Sequence, residues 1–397
     1  MSIEKLDIVF VDDEQRILDG LRRQLYAHRQ TWDMRFASSG AEALQMVETR
    51  VADIVVSDMR MPGMTGGQLF QKLLQTRPQI TRIMLSGQTD QTELLRDVGC
   101  IHQYLQKPCE PLQLCHAIER TFSLAKRLRQ PQLRLAANRI KALPPSSENH
   151  QALVAELSKE DSDIHQVSRI VGRDPALTAK LLQLVNSAFF GMPRKINCSH
   201  DAVVLLGLKT LRGIVIAGRL FDFVGKGRGH EPQLTRLWNI SFEIGESARR
   251  LAAVDGAGDS AQHEARLAGL LSLIGRAILL TTEPDEYSNV LLTARSSERP
   301  LAQCEINCFG ASQEDVTAYA LGLWAFSDNV VSATAYQSSP SRMPVPSSHH
   351  PVRYLHLARW LRSKSAGEME DRQELDKEFV ESQQMAALVA NQEKRAA

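Results

Sequence analysis

Residues 53–66, DIVVSDMRMPGMTG, decide the fold: an apolar run from Asp53 to Ser57 stops on Asp58 and crosses Pro62-Gly63 toward a helical pattern over Gly66 to Gln75. A short unbroken apolar run bounded by turn residues reads as a buried strand. The same unit recurs on both sides. Asp7 to Val11 ends in Asp12-Asp13-Glu14 before the amphipathic segment Arg16 to Tyr26. Met34-Phe36 is a weak strand before Ala41 to Glu48, Thr81 to Leu85 precedes Gln91 to Val98, and Ile101 to Leu105 precedes Leu112 to Phe122. Five strands alternating with five helical patterns predict an α/β doubly wound, five-stranded parallel sheet.

The pattern then changes. A basic segment, Lys126 to Lys141, is broken by Pro131 and closed by Leu143-Pro144-Pro145-Ser146-Ser147, a natural boundary. With no interleaved aromatics and no helix-turn-helix after it, this segment reads as a solvated helix face. Everything beyond is helical in period: Gln151 to Leu157, Ile164 to Val171, Pro175 to Val185, Ser199 to Leu206, Thr210 to Phe223, Leu234 to Ala253, Ala265 to Thr281 and Glu314 to Tyr336. A Pro/Ser loop, Ser338 to Pro351, precedes a helix near Val352 to Arg362. The charged tail, Glu368 to Arg395, fits either a loosely amphipathic helix or a partly disordered segment. The expected division is 1–125, 126–142, 143–337 and 338–397.

Bulk composition narrows the function. The 397 residues suit two or three domains. With 47 Lys+Arg against 46 Asp+Glu, no whole-chain field draws in nucleic acid or an anionic membrane. The 6 cysteines form no CxxC pair and read as reduced thiols, and the start turns acidic too early for a signal peptide, so a cytoplasmic protein is expected. Lys209, Arg212 and Arg219 interrupt the apolar stretch Ala202 to Phe223, which reads as buried helices.

In parallel α/β sheets, reactive groups collect beyond the carboxyl ends of the strands. Those ends carry Asp12-Asp13, Asp58, Ser86 and Lys107. Taken singly, each acid reads equally well as a loop or cap carboxylate; packed together, they call for a hard cation such as Mg²⁺ between them. From about Ile3 to Thr121 the chain resembles a response-regulator receiver domain, which is flavodoxin-like. The matching residues are Asp12-Asp13, the segment Ser57 to Gly66, Leu85-Ser86-Gly87, and Tyr104 ahead of Lys107-Pro108. The resemblance implies that Asp58 accepts a phosphoryl group. Asp13 would bind Mg²⁺ directly and Asp12 mainly through water, with a further oxygen from the Arg60 backbone carbonyl. Lys107 would pair with the phosphoryl oxygens, Ser86 would hydrogen-bond one of them, and Tyr104 would rotate inward as the switch. The sequence leaves the Lys107-Pro108 isomer open.

The helical half resembles an HDOD domain, a degenerate relative of the HD metal phosphohydrolases, over about Leu143 to Tyr336. The matches are Leu143-Pro144-Pro145, Asp174 to Leu177 leading to Asn186-Ser187-Ala188-Phe189-Phe190-Gly191, Ala202 to Leu211, Leu237-Trp238 and Ala268 to Arg276. An HD hydrolase needs His ligands and a His-Asp pair to activate metal-bound water. Here those positions fall on Ser272-Leu273, Asn239-Ile240, Gln313 and Tyr336-Gln337, so no metal is expected in this half. His349-His350 reads as a solvated loop pair, Cys304 and Cys308 as buried small residues, and His165 as part of a capped helix start.

The resemblance thus implies a two-component response regulator, phosphorylated at Asp58 by a sensor histidine kinase or a phosphotransfer protein. Its non-catalytic helical output would bind an unidentified protein target, a cyclic-di-GMP enzyme among the candidates; neither nucleic acid nor membrane is an expected partner. The alternative is an HD-type cyclic-dinucleotide phosphodiesterase, or a degenerate regulator of one.

Overall fold

The computed structural model describes residues 5–87, 99–128, 130–139, 143–159, 161–186, 195–216, 230–297, 299–344, 346–366, 373–382, 385 and 387–390. Strands β1 (Leu6–Val11), β2 (Trp32–Ala37), β3 (Ile54–Asp58), β4 (Thr81–Ser86) and β5 (Gln103–Gln106) form one parallel sheet in the order β2-β1-β3-β4-β5. The chain leaves β1 for β2 on one side and reaches β3 on the other. A crevice therefore opens beyond the carboxyl ends of β1 and β3.

Helices α1 (Gln15–Gln24), α2 (Gly40–Thr49), α3 (Gly66–Thr76) and α4 (Pro111–Ala125) cover both faces. Ile8, Phe10, Val56 and Ile83 pack with Leu18, Leu114 and Ile118 on one side. Val9, Val11, Val55 and Met84 pack with Val47, Leu69 and Phe70 on the other. Burial on both faces is why these strands read as unbroken apolar runs. The expected helix Gln91 to Val98 lies outside the described residues.

Helix α5 (Pro131–Arg139) departs from the solvated face expected of the basic segment. Leu133, Ala136, Ala137 and Asn138 are buried. The Asn138 amide accepts from the Tyr319 hydroxyl at 2.9 Å and donates to the Gln79 carbonyl at 2.7 Å, while its own carbonyl accepts from Arg82 at 3.0 Å. Arg82 is itself buried, held by the carbonyls of Cys100 at 2.6 Å and Ile80 at 2.8 Å, and burial lowers its pKa to about 10. The charges had hidden an apolar stripe with partners on both sides.

The helical half comprises α6 (Ser147–Ser158), α7 (Ile164–Arg173), α8 (Pro175–Val185), α9 (Ser199–Leu206), α10 (Leu208–Ile216), α11 (Glu231–Val254), α12 (Asp259–Leu271), α13 (Ile274–Thr282), α14 (Pro284–Ser297), α15 (Leu301–Phe309), α16 (Gln313–Leu323), α17 (Asp328–Ala335), α18 (Pro351–Ala366) and α19 (Lys377–Ser382). Asp174 caps α8, accepting from the Ala176 and Leu177 amides at 2.9 and 3.1 Å, and also accepts from the Ser146 amide at 2.8 Å. The expected helix Ala265 to Thr281 divides at Ser272-Leu273. Glu314 to Tyr336 divides near Ala325, whose φ of 57° is left-handed. Helices α14 and α15 were not foreseen, and α18 packs against α11, α12 and α17. Among the described residues one stretch, Asp259–Thr282, is long and apolar enough to cross a membrane, and it is mostly buried in the fold. Residues 187–191, 217–223 and parts of the tail lie outside the described residues.

The His349-His350 reading needs correction. His350 is buried, within 3.2 Å of the Ser332 hydroxyl, and accepts from the Val352 amide at 3.2 Å; burial pushes its pKa down to about 4. His349 lies 2.7 Å from the Tyr354 hydroxyl. Both imidazoles fasten the start of α18, since a loop turning into a buried helix leaves polar groups that must be satisfied locally. His165 does sit in a capped helix start, its amide donating to Asp163 at 2.9 Å. Cys304 is buried as expected, whereas Cys308 is exposed.

Candidate functional site

Strand register assembles the site. Val11 of β1 pairs with Ser57 of β3, Asp58 with Leu85, and Ser86 with Gln106, so the residues at and just beyond these ends face one crevice. The Lys107 amide donates to the Ser86 carbonyl at 2.8 Å, fixing the turn that follows β5.

Within the crevice, Lys107 Nζ stands 2.8 Å from Asp12 Oδ2 and 2.5 Å from Asp58 Oδ1. Asp12 is buried and also accepts from the Glu14 amide at 2.9 Å. Asp58 Oδ2 accepts from the Arg60 amide at 3.1 Å. Burial pushes the Asp58 carboxyl above the usual range; Lys107 pulls it back and the Asp12 charge adds to the rise. Burial opposes charge on Lys107, but the hydrogen bonds and charges of the two carboxylates together hold its ammonium above its ordinary pKa. One cation thus holds two acids that would otherwise repel.

The structure brings Asp12, Asp58 and Lys107 into direct contact. Ser86 is buried beside them and Tyr104 is buried two register positions before Ser86, paired with Met84. Asp13 is exposed at the rim, as is Arg60. Gly66, seen in the sequence only as part of a matching segment, has a physical role: a Cβ there would lie 2.2 Å from the Asp58 carbonyl oxygen. Its amide donates to the Met59 carbonyl at 3.0 Å, so α3 starts flush against the backbone that carries Asp58.

The donor set suits a hard cation. Mg²⁺ commonly takes one or two carboxylates and keeps several waters, and Asp12 and Asp58 already converge. Among the described residues no group of three or more His, Cys, Asp and Glu side chains is placed to hold a metal, so Asp13 would have to turn in from the rim.

In the helical half, the positions expected from the sequence to stand where HD hydrolases carry ligands are engaged in ordinary packing and hydrogen bonds. Ser272 is buried; its hydroxyl donates to the Gly269 carbonyl at 2.7 Å and its backbone carbonyl accepts from the Gln337 side-chain amide at 3.1 Å. Asn239 is exposed, Ile240 is buried, and Tyr336 lies under Arg127, 4.8 Å from ring to guanidinium. The Gln313 backbone amide donates to buried Glu305 at 2.7 Å.

Comparison with known proteins separates the two halves. Residues 8–119 match the response regulator receiver domain family and residues 143–340 match the HDOD domain family. Among relatives, the hydrogenase transcriptional regulatory protein HoxA of Cupriavidus necator is 32% identical over 120 residues, covering 30% of this chain and 24% of that protein. The transcriptional regulatory protein YesN of Bacillus subtilis is 31% identical over 128 residues, 30% of this chain and 33% of that one. The chain thus spans about a quarter to a third of these relatives. The crystal structure of the MmoQ response regulator from Methylococcus capsulatus is 22% identical, covers 63% of this chain and 98% of that one, and has a TM-score of 0.47. This chain is a receiver-HDOD protein, joining a response regulator receiver domain at residues 8–119 to an HDOD domain at residues 143–340.

Proposed function

We propose that this protein is a phosphorylation-controlled regulator in which Asp58 accepts a phosphoryl group from a histidine kinase or phosphotransfer protein and the HDOD domain passes the signal on by binding another protein. The observation that carries this reading is the Lys107 ammonium bridging Asp12 and Asp58 at the carboxyl ends of the strands.

The chemistry follows from that contact. An Asp58 carboxylate oxygen attacks the donor's phosphorus, an acyl phosphate bond forms, and the donor's bond to phosphorus breaks with its electron pair leaving on the donor. Lys107 moves from pairing a carboxylate to pairing the incoming phosphoryl oxygens. Ser86 donates its hydroxyl to one of them. Mg²⁺ would be held by Asp12, Asp58, the Arg60 carbonyl and an inward-turned Asp13, and would supply charge neutralisation for the transferring group.

A non-catalytic HDOD output is supported by Ser272 and Gln337 bonding to each other and by Tyr336 turning to Arg127. The working division 1–125, 126–142, 143–337 and 338–397 goes with this reading, with α18 completing the helical core. Incubation with Mg²⁺ and acetyl phosphate should label wild type once and leave Asp58→Asn unlabelled. Equal labelling of the variant would remove the assignment.

A further inference from the structure

Three groups that the crevice chemistry does not use meet between α4 and the turn that follows α1. Cys115 and Glu119 stand one helical turn apart on the same face of α4. His28 closes the short 3₁₀ turn Tyr26–His28. Its Nε2 lies 3.5 Å from the Cys115 sulfur, and its Nδ1 lies 3.5 Å from a Glu119 carboxylate oxygen. The ring plane is set by stacking on buried Trp32 of β2, with centroids 4.3 Å apart and planes 19° from parallel.

Thiol, imidazole and carboxylate thus follow one another as a nucleophile, its base and the group that orients the base do. An imidazole that accepts from the thiol at Nε2 carries its own proton on Nδ1, the nitrogen that faces Glu119. Burial pushes the Cys115 thiol above its ordinary value, and the Glu119 charge adds to the rise. The sulfur therefore does not ionise unaided near neutral pH, and attack needs a base to take its proton. Burial and Glu110 raise the neighbouring Cys109 thiol as well, with a contribution from Cys115. Cys115 and His28 are both partly exposed, so a small reagent can reach the pair.

We propose that Cys115 is a thiol-modification site of the receiver that takes low-molecular-weight disulfides of the glutathione type, with His28 as its base and Glu119 positioning His28. His28 Nε2 removes the thiol proton and the Cys115 sulfur attacks one sulfur of the incoming disulfide. The new S–S bond forms as the old one breaks, and the departing sulfur leaves with the electron pair and takes the proton from His28. One thiol and one disulfide give one mixed disulfide and one free thiol. The incoming disulfide is the oxidant, and no other is needed. The receiver thereby carries an oxidation-dependent modification that is chemically separate from phosphoryl transfer at the strand ends.

The test treats the reduced full chain with glutathione disulfide and follows each cysteine by mass spectrometry that resolves Cys115 from Cys109. Exposed Cys308, whose thiol burial and Glu286 also raise, serves as the reference. Near pH 7, Cys115 should react about ten-fold faster than Cys308 or more, a modest return for a positioned base. His28→Gln should slow Cys115 about ten-fold and change its pH profile. The variant's rate should climb about ten-fold per pH unit between pH 7 and 9, as thiolate forms unaided, whereas the wild-type rate should climb less steeply because a free imidazole is already neutral above about pH 6.5. Glu119→Gln decides by sign: losing a charge that opposes the thiolate would speed the reaction, whereas losing the group that positions His28 slows it. Faster modification of Cys308, a wild-type rate and pH profile in His28→Gln, or a faster Glu119→Gln would each overturn the proposal. Should His28→Gln misfold, Glu119→Gln at its exposed position decides alone.

Discussion

Replacing Glu305 by Gln should remove a pH dependence from the stability of the HDOD domain. Glu305 is fully buried on α15, where its carboxyl accepts from the Tyr287 hydroxyl at 2.8 Å and from the Gln313 amide at 2.7 Å. Burial pushes its pKa up from 4.5 to about 7, against the pull of Arg276 and these hydrogen bonds. A carboxyl raised on folding binds its proton more tightly in the folded state. Its stabilisation is therefore complete below about pH 4.5 and is lost as pH rises toward the folded value near 7. Integrating between pH 5 and 8 gives a loss of about 2.5 kcal/mol for wild type relative to Glu305→Gln. Gln keeps an acceptor for either partner but does not titrate. His350 and His356, whose pKa values burial lowers, act with the opposite sign, but they are common to both proteins and cancel in the difference. Urea unfolding followed by circular dichroism at the two pH values measures that difference. Parallel profiles would show that Glu305 does not titrate in this window and would refute the reasoning.

Two further outcomes follow from contacts. Gly66→Ala should push the Asp58 backbone away, since the new Cβ would meet its carbonyl oxygen at 2.2 Å; we expect about 1–3 kcal/mol of destabilisation and at least a several-fold slower labelling by acetyl phosphate. Wild-type labelling would mean the start of α3 yields without moving Asp58. Asn138→Leu should cost about 1–3 kcal/mol by removing the Asn138 acceptor of the buried Tyr319 hydroxyl and the donor to the Gln79 carbonyl. Tyr319→Phe should recover part of that loss in a double-mutant cycle, read from urea midpoints, and strictly additive losses would argue against the pairing.

Much of the receiver was legible because its strands are buried on both faces and its reactive groups sit where strands end. The run Asp53 to Ser57 followed by Asp58 carries both facts in one segment. Asp12, Asp58 and Lys107 could be grouped before their distances were known. The HDOD half was less legible. Helical periodicity joined Ala265 to Thr281, yet Ser272 turns its hydroxyl back onto the Gly269 carbonyl where α12 ends. Periodicity marks a buried face, not a break between two helices sharing that face. Helices α14 and α15 escaped notice because many of their residues are exposed and their apolar stripes are thin.

The interface between the domains left only faint marks in the chain. Gln103 is a polar residue at the start of a four-residue strand, Gly322 a glycine inside a buried helix, and Arg120 one charge among many. Each has an ordinary local explanation. The basic segment misled for the same reason, its charges masking Leu133, Ala136 and Ala137.

The sequence by itself determined the alternation of strands and helices in the receiver, the helical period of the second half, and the identity of the acids and the lysine at the strand ends. All of these depend on local pattern or residue chemistry. Tertiary structure alone decided that one ammonium bridges Asp12 and Asp58, that Asp13 stays at the rim, that His350 is buried, and that Gln103 reaches Gly322. Hydrogen bonds across 219 positions of chain depend on where two independently patterned domains come to rest, and periodicity within either domain holds no record of that placement.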